Sequence, residues 1–407
     1  MSGRLMRREF LALCAWLFVV VLIFAWRRPV EWHHPYPWVE EGTISLPAYL
    51  SSGWQSLWAP VSGYLVIPAK LIFLTAVSLS ASHFPEIAYA LTLAFEVGTL
   101  CLIAFSPSHL RYPWVAALLV AMVPTQPEVF AVSEYAFWWG ALWSFVALFW
   151  REDERPRTAW RCALATLGGL SSPIAIPAAA LLGARAIAVR KRSDLLVFAA
   201  GALTAAIQIA MIFTAPTPLG IGDRGFEPVE IVERFFGHYV VSSPNVPHLI
   251  LLTAGLAIVV WMATFAIQHR KWRDPWFMLL AASLGAGIVA SLSRVPVDMI
   301  RPMGAARYFF YPYLFLGWLL LYVYAEAGRS GRVFATIVLA LGFSQFAMHG
   351  RQVYDTYIWP KELGRCISAG DNSYPLPVQY NGDKKIAWRV PLTGTQCKAL
   401  ADRSLFR

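Results

Sequence analysis

The densest group of reactive side chains follows the first apolar run, in residues 27–65 (RRPVEWHHPYPWVEEGTISLPAYLSSGWQSLWAPVSGYL). Glu31, His33, His34, Glu40 and Glu41 stand there among tryptophans and tyrosines. Two adjacent carboxylates at a membrane surface, flanked by Trp38, repel each other and lose hydration. Both effects favour the protonated form, which suits one of the pair to general-base work near neutral pH. The plainer alternative is a solvated loop whose histidines and tryptophans sit among lipid headgroups. His33 and His34 do not read as a metal site, because adjacent histidines need further ligands and no His-Glu-x-x-His spacing occurs in the chain. They read as structural or interfacial.

Further charged groups fall into two sets. Glu96 lies inside an apolar run, where an acid is costly and is a functional candidate unless a neighbouring helix hydroxyl satisfies it. Glu128 and Glu134 flank an outer turn and, with Tyr64, form an acceptor-side set. The cations are Lys70 (SGYLVIPAK), Arg301 and Arg307, the last followed by Tyr308 in IRPMGAARYFFYP. A guanidinium binds phosphate through paired, charge-assisted hydrogen bonds; the plainer alternative is anchoring at lipid headgroups. What joins these groups into a candidate site is their convergence on one membrane face.

The elements that must position them are apolar helices. Of the 407 residues, 57% are hydrophobic and 14% charged, against about 25% charged in a soluble domain. Apolar runs at 10–25, 85–105, 194–215, 248–268, 307–325 and 333–347 alternate with short charged knots. Most reach or approach the roughly 20 residues that span a bilayer as helix. The alternation of about 10 residues expected for a membrane barrel is missing. The N-terminal run lacks a small-x-small cleavage site and reads as a retained signal anchor. The net charge of +10 reflects the positive-inside rule rather than a nucleic-acid surface.

Basic markers at Arg4/Arg7/Arg8, Arg151–Arg161, Arg190–Arg192, Arg270–Arg273 and Arg329/Arg332 are read as cytoplasmic. Parity between them then predicts eleven crossings: 10–26, 85–105, 113–124, 134–150, 162–172, 173–189, 194–215, 248–268, 276–293, 307–327 and 332–349. Arg27 and Arg28 run against the rule. The segment GGLSSPIAIP predicts two short helices meeting at Ser171–Pro173, because proline breaks a helix and such breaks survive where they line a cavity. Residues 44–81, with Pro60, Gly63, Pro68 and Lys70, are assigned to juxtamembrane or re-entrant outer helices. The expected fold is therefore all-α and polytopic: a transmembrane domain over 1–349, whose first outer loop and juxtamembrane helices cover 27–84, and a small extracytoplasmic domain over 350–407. That tail carries one strand-like run, Lys385–Val390, and two cysteines, Cys366 and Cys397. Outside the cell these should form a disulfide, worth about 3 kcal/mol for a loop of roughly 30 residues. The N-terminus is expected in the cytoplasm and the C-terminus outside the cytoplasmic membrane of a bacterium.

Several of these features together resemble the GT-C superfamily of membrane glycosyltransferases, in its uncharacterised bacterial branch. They are the acidic pair after the first span, the Pro60…Gly63-Tyr64-Leu65 segment, the Pro127–Val129 turn, the Gly169–Pro173 break and the Arg307–Pro312 run. The resemblance covers about residues 1–325. It implies a polyprenyl-phosphate sugar donor, an envelope glycan or glycolipid acceptor presenting a hydroxyl on the outer side, and a carboxylate base in the first outer loop. Glu40 or Glu41 matches the base position, where an aspartate is common. Glu128 matches a second acidic position that in some members binds a divalent metal, so metal dependence stays open. Lys70, Arg301 and Arg307 with Tyr308 fall where cations approach the donor phosphate. Rival readings are a transporter or flippase of lipid-linked saccharides, a polymerase or ligase, and an assembly subunit. The first needs charges along a central path, and most spans here are uncharged at their middle. A polymerase or ligase would use a large late outer loop, and the loops at 216–247 and 294–306 are modest.

Overall fold

A computed structural model describes residues 3–151, 157–214, 227–243, 245–301, 305–354, 357–378 and 388–405, with side chains from Phe10 onward. Part of the 216–247 loop, residues 152–156 of a basic marker and residues 385–387 of the expected strand-like run lie outside the described residues. Among the described residues, seven helices are long and apolar enough to cross a membrane: Phe10–Arg27, Phe84–Phe105, Arg192–Thr214, His248–Gln268, Pro275–Leu292, Ala306–Glu326 and Arg329–His349. Their outward faces carry exposed apolar side chains such as Phe213 and Leu249, as contact with lipid tails requires. The chain is a helical multi-pass membrane protein.

The other four expected spans are shorter. Helices Pro113–Ala121, Ala136–Phe149, Thr158–Gly169 and Ala175–Val189 hold 9, 14, 12 and 15 residues. At 1.5 Å per residue the longest reaches about 22 Å, short of a hydrocarbon core of about 30 Å. Helix length among the described residues thus supports seven of the eleven expected crossings and leaves the other four without that support. The shortening follows from the sequence: Pro113 starts one helix, Pro124 follows its end, and the turn through Pro127 delays the next until Ala136. Ala136–Phe149 is buried on nearly every side, as is Phe310–Glu326. Helices apolar all round form the core of a bundle, and these two meet through the Tyr311 hydroxyl, which donates to Trp138 O at 2.9 Å.

The expected break is present between Gly169 and Ala175. Helix Ile67–Leu79 is not laid on the surface; Ala69, Phe73, Leu74, Ala76 and Val77 are fully buried. Irregular backbone at 65–67 meets the break, with Ile67 N donating to Leu170 O at 3.2 Å. Gln208, inside Arg192–Thr214, satisfies both: its amide donates to Leu65 O and Gly169 O (3.1 Å each) and accepts from Leu65 N (3.0 Å). A buried amide that pairs freed backbone groups is what lets non-helical chain survive in an apolar interior. Helix contact beside the break is close, since a Cβ on Gly140 would stand 2.5 Å from Ser171 Oγ.

Arg27 and Arg28 do not face lipid headgroups. Arg27 is buried and donates to the carbonyls of Ala121, Val123 and Thr125 (2.9, 2.6 and 3.1 Å), its guanidinium lying over Phe130. Arg28 pairs with Glu31 at 2.8 Å and donates to Phe130 O. Both charges serve the interior, so neither bears on a positive-inside bias. Glu96 is satisfied by backbone, not by a hydroxyl: both carboxylate oxygens accept from Ala131 N (2.9 and 3.1 Å), where φ is +54°. It holds a strained turn in place.

The tail forms helix Trp359–Ser368, an antiparallel pair of strands Ser373–Val378 and Trp388–Thr393, and helix Gly394–Asp402. Cys366 and Cys397 are disulfide-bonded, their Cα atoms 6.1 Å apart. Of the expected run, residues 388–390 belong to the second strand. Its partner is SYPLPV, whose Pro375 and Pro377 a two-stranded ribbon tolerates on its free edge. The tail is docked on the earlier chain. Trp359 Nε1 donates to Ala81 O (2.7 Å), Tyr36 Oη to Pro377 O (2.8 Å), and Arg403 to Tyr49 O and Leu50 O (3.1 and 2.9 Å).

Candidate functional site

The adjacent carboxylates Glu40 and Glu41 have different fates. Glu41 opens a short π-helical turn, and its side chain folds back to accept from Trp38 N (2.6 Å) and from the Ser133 hydroxyl. It clamps the loop. Glu40, one residue earlier, points the other way, with Oε1 3.0 Å from the Tyr135 hydroxyl and Oε2 without a hydrogen-bond partner. Burial raises both carboxylates above their ordinary range; Arg307 opposes the shift at Glu40, and the Ser133 and Trp38 donors oppose it at Glu41.

Tyr135 is the hub. Its hydroxyl accepts from Arg307 Nη1 (2.9 Å) and Trp38 Nε1 (3.2 Å) and lies 3.0 Å from Glu40 and 3.2 Å from Glu128. Having one proton, it donates to one of these two carboxylates at a time. Glu128 is itself ion-paired to Arg307. Three short pieces of chain therefore meet here: the loop after the first span, the 127–135 turn that Glu96 fixes, and the turn Ala306–Phe309 before the buried helix.

Two cavities open on this hub, and Glu40, Tyr135, Arg307 and Tyr308 line both. The smaller, about 110 Å³, continues along Tyr64, Glu134, Trp138, Ser172, Arg294 and Tyr311. The larger, about 510 Å³, continues along Trp38, Glu128, Gln126, Gln352, Tyr354 and Trp388. Arg294 donates to Ser62 O (3.2 Å) and lies over the Tyr64 ring, 4.7 Å from its centroid. Glu134 accepts from Ser45 Oγ (2.9 Å), and its other oxygen is unpartnered. Burial lifts it to about 7 against the attraction of Lys70.

Of the residues singled out in the sequence, Glu40, Tyr64, Glu128, Glu134, Arg307 and Tyr308 come together. Lys70 and Arg301, expected at the donor phosphate, line neither cavity: Lys70 is buried with its ammonium unpartnered, and Arg301 is exposed and donates to Asp298 O. His33 and His34 are exposed. Tyr135, Arg294 and Trp388 were missed. Tyr135 adjoins a named acid, Glu134, which was a usable signal; Arg294 and Trp388 sit in segments with no such mark. Among the described residues, no three His, Cys, Asp or Glu side chains are grouped so as to hold a metal ion; Glu128, the candidate ligand, is paired with Arg307 instead.

Comparison with known proteins finds no family model, curated protein or solved structure that matches this chain.

Proposed function

We propose that this protein is a membrane glycosyltransferase of GT-C type, transferring a sugar from a polyprenyl phosphate to an acceptor hydroxyl. The observation that carries the reading is Glu40: a carboxylate with one unpaired oxygen, raised by burial, beside an arginine at the junction of two cavities. In this reaction Glu40 takes the proton of the acceptor hydroxyl as its oxygen attacks the anomeric carbon. The bond from that carbon to the phosphate oxygen breaks, and the electron pair leaves with the polyprenyl phosphate. Arg307 and Arg294 meet the charge that develops there, by preorganised electrostatics rather than covalent chemistry. The donor headgroup occupies the smaller cavity, which both arginines line, and the acceptor occupies the larger.

The same reading places the site on the outer face of a bacterial cytoplasmic membrane, with the N-terminus inside. The disulfide supports this, because the tail carrying it docks on the loop that bears Glu40, and disulfides persist on the oxidising side. The test is to incubate purified protein with a panel of polyprenyl-phosphate sugars and follow donor hydrolysis or transfer. Consumption of at least one donor by the wild type, lost in Glu40→Gln, is expected. Consumption of none, or equal turnover by Glu40→Gln, would overturn the assignment.

A further inference from the structure

The tail beyond the last helix shapes the larger cavity. Trp388, at the start of the second strand, is 49% exposed although it lines that cavity with Glu40, Glu128 and Arg307. Its place is fixed from behind. Trp388 pairs across the ribbon with Val378, and the Val378 side chain occupies the space a Cβ would need on Gly42, 2.1 Å from Cγ1. Gly42 lies two residues from Glu40, so the ribbon is seated directly against the turn that presents the base. The disulfide and the Trp359 hydrogen bond to Ala81 hold the rest of the tail to this position.

The walls combine two chemistries. Trp388 supplies an exposed aromatic face, while Trp38 and Tyr354, edge-to-face at 5.5 Å, are buried and have the Arg28 guanidinium over their rings. Between them stand hydrogen-bonding groups of Thr43, Gln126 and Gln352. A sugar ring presents C–H groups on its face and hydroxyls around its rim. It is therefore matched by an aromatic plane beside groups that keep hydrogen-bonding capacity beyond their internal bonds, the Thr43 hydroxyl, which donates to Val39 O, and the Gln352 amide, which accepts from Tyr354; a prenyl chain would use none of it.

Resting on the glycosyl-transfer reading, we infer that the tail is the acceptor-binding wall of the site and that the acceptor is a saccharide, one ring of which stacks on Trp388. The tail thus selects the acceptor, while the donor is handled by the membrane helices.

The test uses full-length protein in nanodiscs on an array of bacterial-envelope oligosaccharides, beside transfer assays with any donor the wild type consumes. Wild type is expected to bind at least one oligosaccharide. Trp388→Ala should lose that signal tenfold or more, and Trp388→Phe should keep most of it, both variants melting near the wild-type temperature with the disulfide intact. In transfer, Trp388→Ala should raise the acceptor KM at least tenfold, with a much smaller change in kcat and in the donor KM. Wild-type binding to no oligosaccharide, unchanged binding by Trp388→Ala, or a rise in donor KM alone overturns the assignment. Oligosaccharide binding that depends on Trp388, without consumption of any donor, would support the saccharide wall and defeat the transferase reading.

Discussion

The broken helix pair carries charged clusters near both of its ends, and they are built on opposite terms. At one end Asp194 Oδ1 accepts from Arg161 (2.6 Å) and Arg185 (2.8 Å), all three side chains buried. Arg161 and Arg185 also donate to the carbonyls of Ala147 and Leu148, and Arg185 lies over Trp276. These charges tie helix ends together. At the other end the charges face space: Glu40 and Arg307 line two cavities that Arg161, Arg185 and Asp194 do not reach, so the unpartnered oxygens of Glu40 and Glu134 stand beside open volume, whereas that of Asp194 is enclosed by the protein. Buried charge is costly wherever it stands. One cluster offsets that cost with partners inside the protein, and the other leaves capacity for a ligand.

Substitutions can break or sharpen this contrast. The largest effect is expected at Glu40→Gln, which should cut transfer by about 10²–10⁴-fold, the usual range for a general base, while leaving the melting temperature close to wild type. Glu41→Gln should do the reverse, loosening the loop with a smaller loss of rate. Full transfer by both single variants and the double variant would remove the catalytic assignment. Next, Asp194→Ala strands two buried guanidinium groups and should destabilise by about 3–5 kcal/mol, seen as a lower unfolding temperature in detergent. An unchanged unfolding temperature would show that this cluster is not structural in the sense argued.

A smaller effect is expected at Arg307. Arg307→Ala should weaken donor binding about tenfold or more, and Arg307→Lys less, because lysine keeps the charge and loses the planar fork. Equal donor affinity in the wild type and Arg307→Ala would leave the residue as an anchor for Glu128 and Tyr135. The smallest effect concerns pH. Glu134 is raised from an ordinary 4.5 to about 7, so the folded state binds a proton more readily than the unfolded chain does. Stability from this group is complete below about 4.5 and declines as pH rises toward 7. Glu134→Gln should flatten that decline. Unfolding temperatures measured at pH 5 and pH 8 for both proteins check it, and parallel pH dependence in the two would refute it.

How much of this could be read from the sequence depended on the kind of signal. Glu40 was legible because a charged pair beside Trp38 stands out after an apolar span, and the break at Ser171–Pro173 because proline leaves backbone groups to be satisfied. The separation of Glu40 from Glu41 was not legible. It depends on Trp38 N and Ser133 claiming one carboxylate, and Ser133 is remote in sequence. Gln208 gave no warning either: a single amide in a long apolar helix does not announce which carbonyls it meets. Lys70 lies on a Pro-containing helix that reads as juxtamembrane or re-entrant, and how deeply it packs was not legible, although eight of its thirteen residues are buried. Helix length does not bear out the four expected spans that fall on short apolar helices buried by their neighbours, because such helices and spans that contact lipid look alike in sequence.

The docking of the tail has a consequence for how the molecule is made. Trp359 and Arg403 complete their hydrogen bonds on Ala81, Tyr49 and Leu50, so a segment synthesised after the helix Arg329–His349 closes over one synthesised before most of the helices. The loop bearing Glu40 must wait, uncovered, through the insertion of every later helix. A chain cut short before Trp359, or one whose cysteines pair late, would carry its described spans but lack the Trp388 wall of the larger cavity.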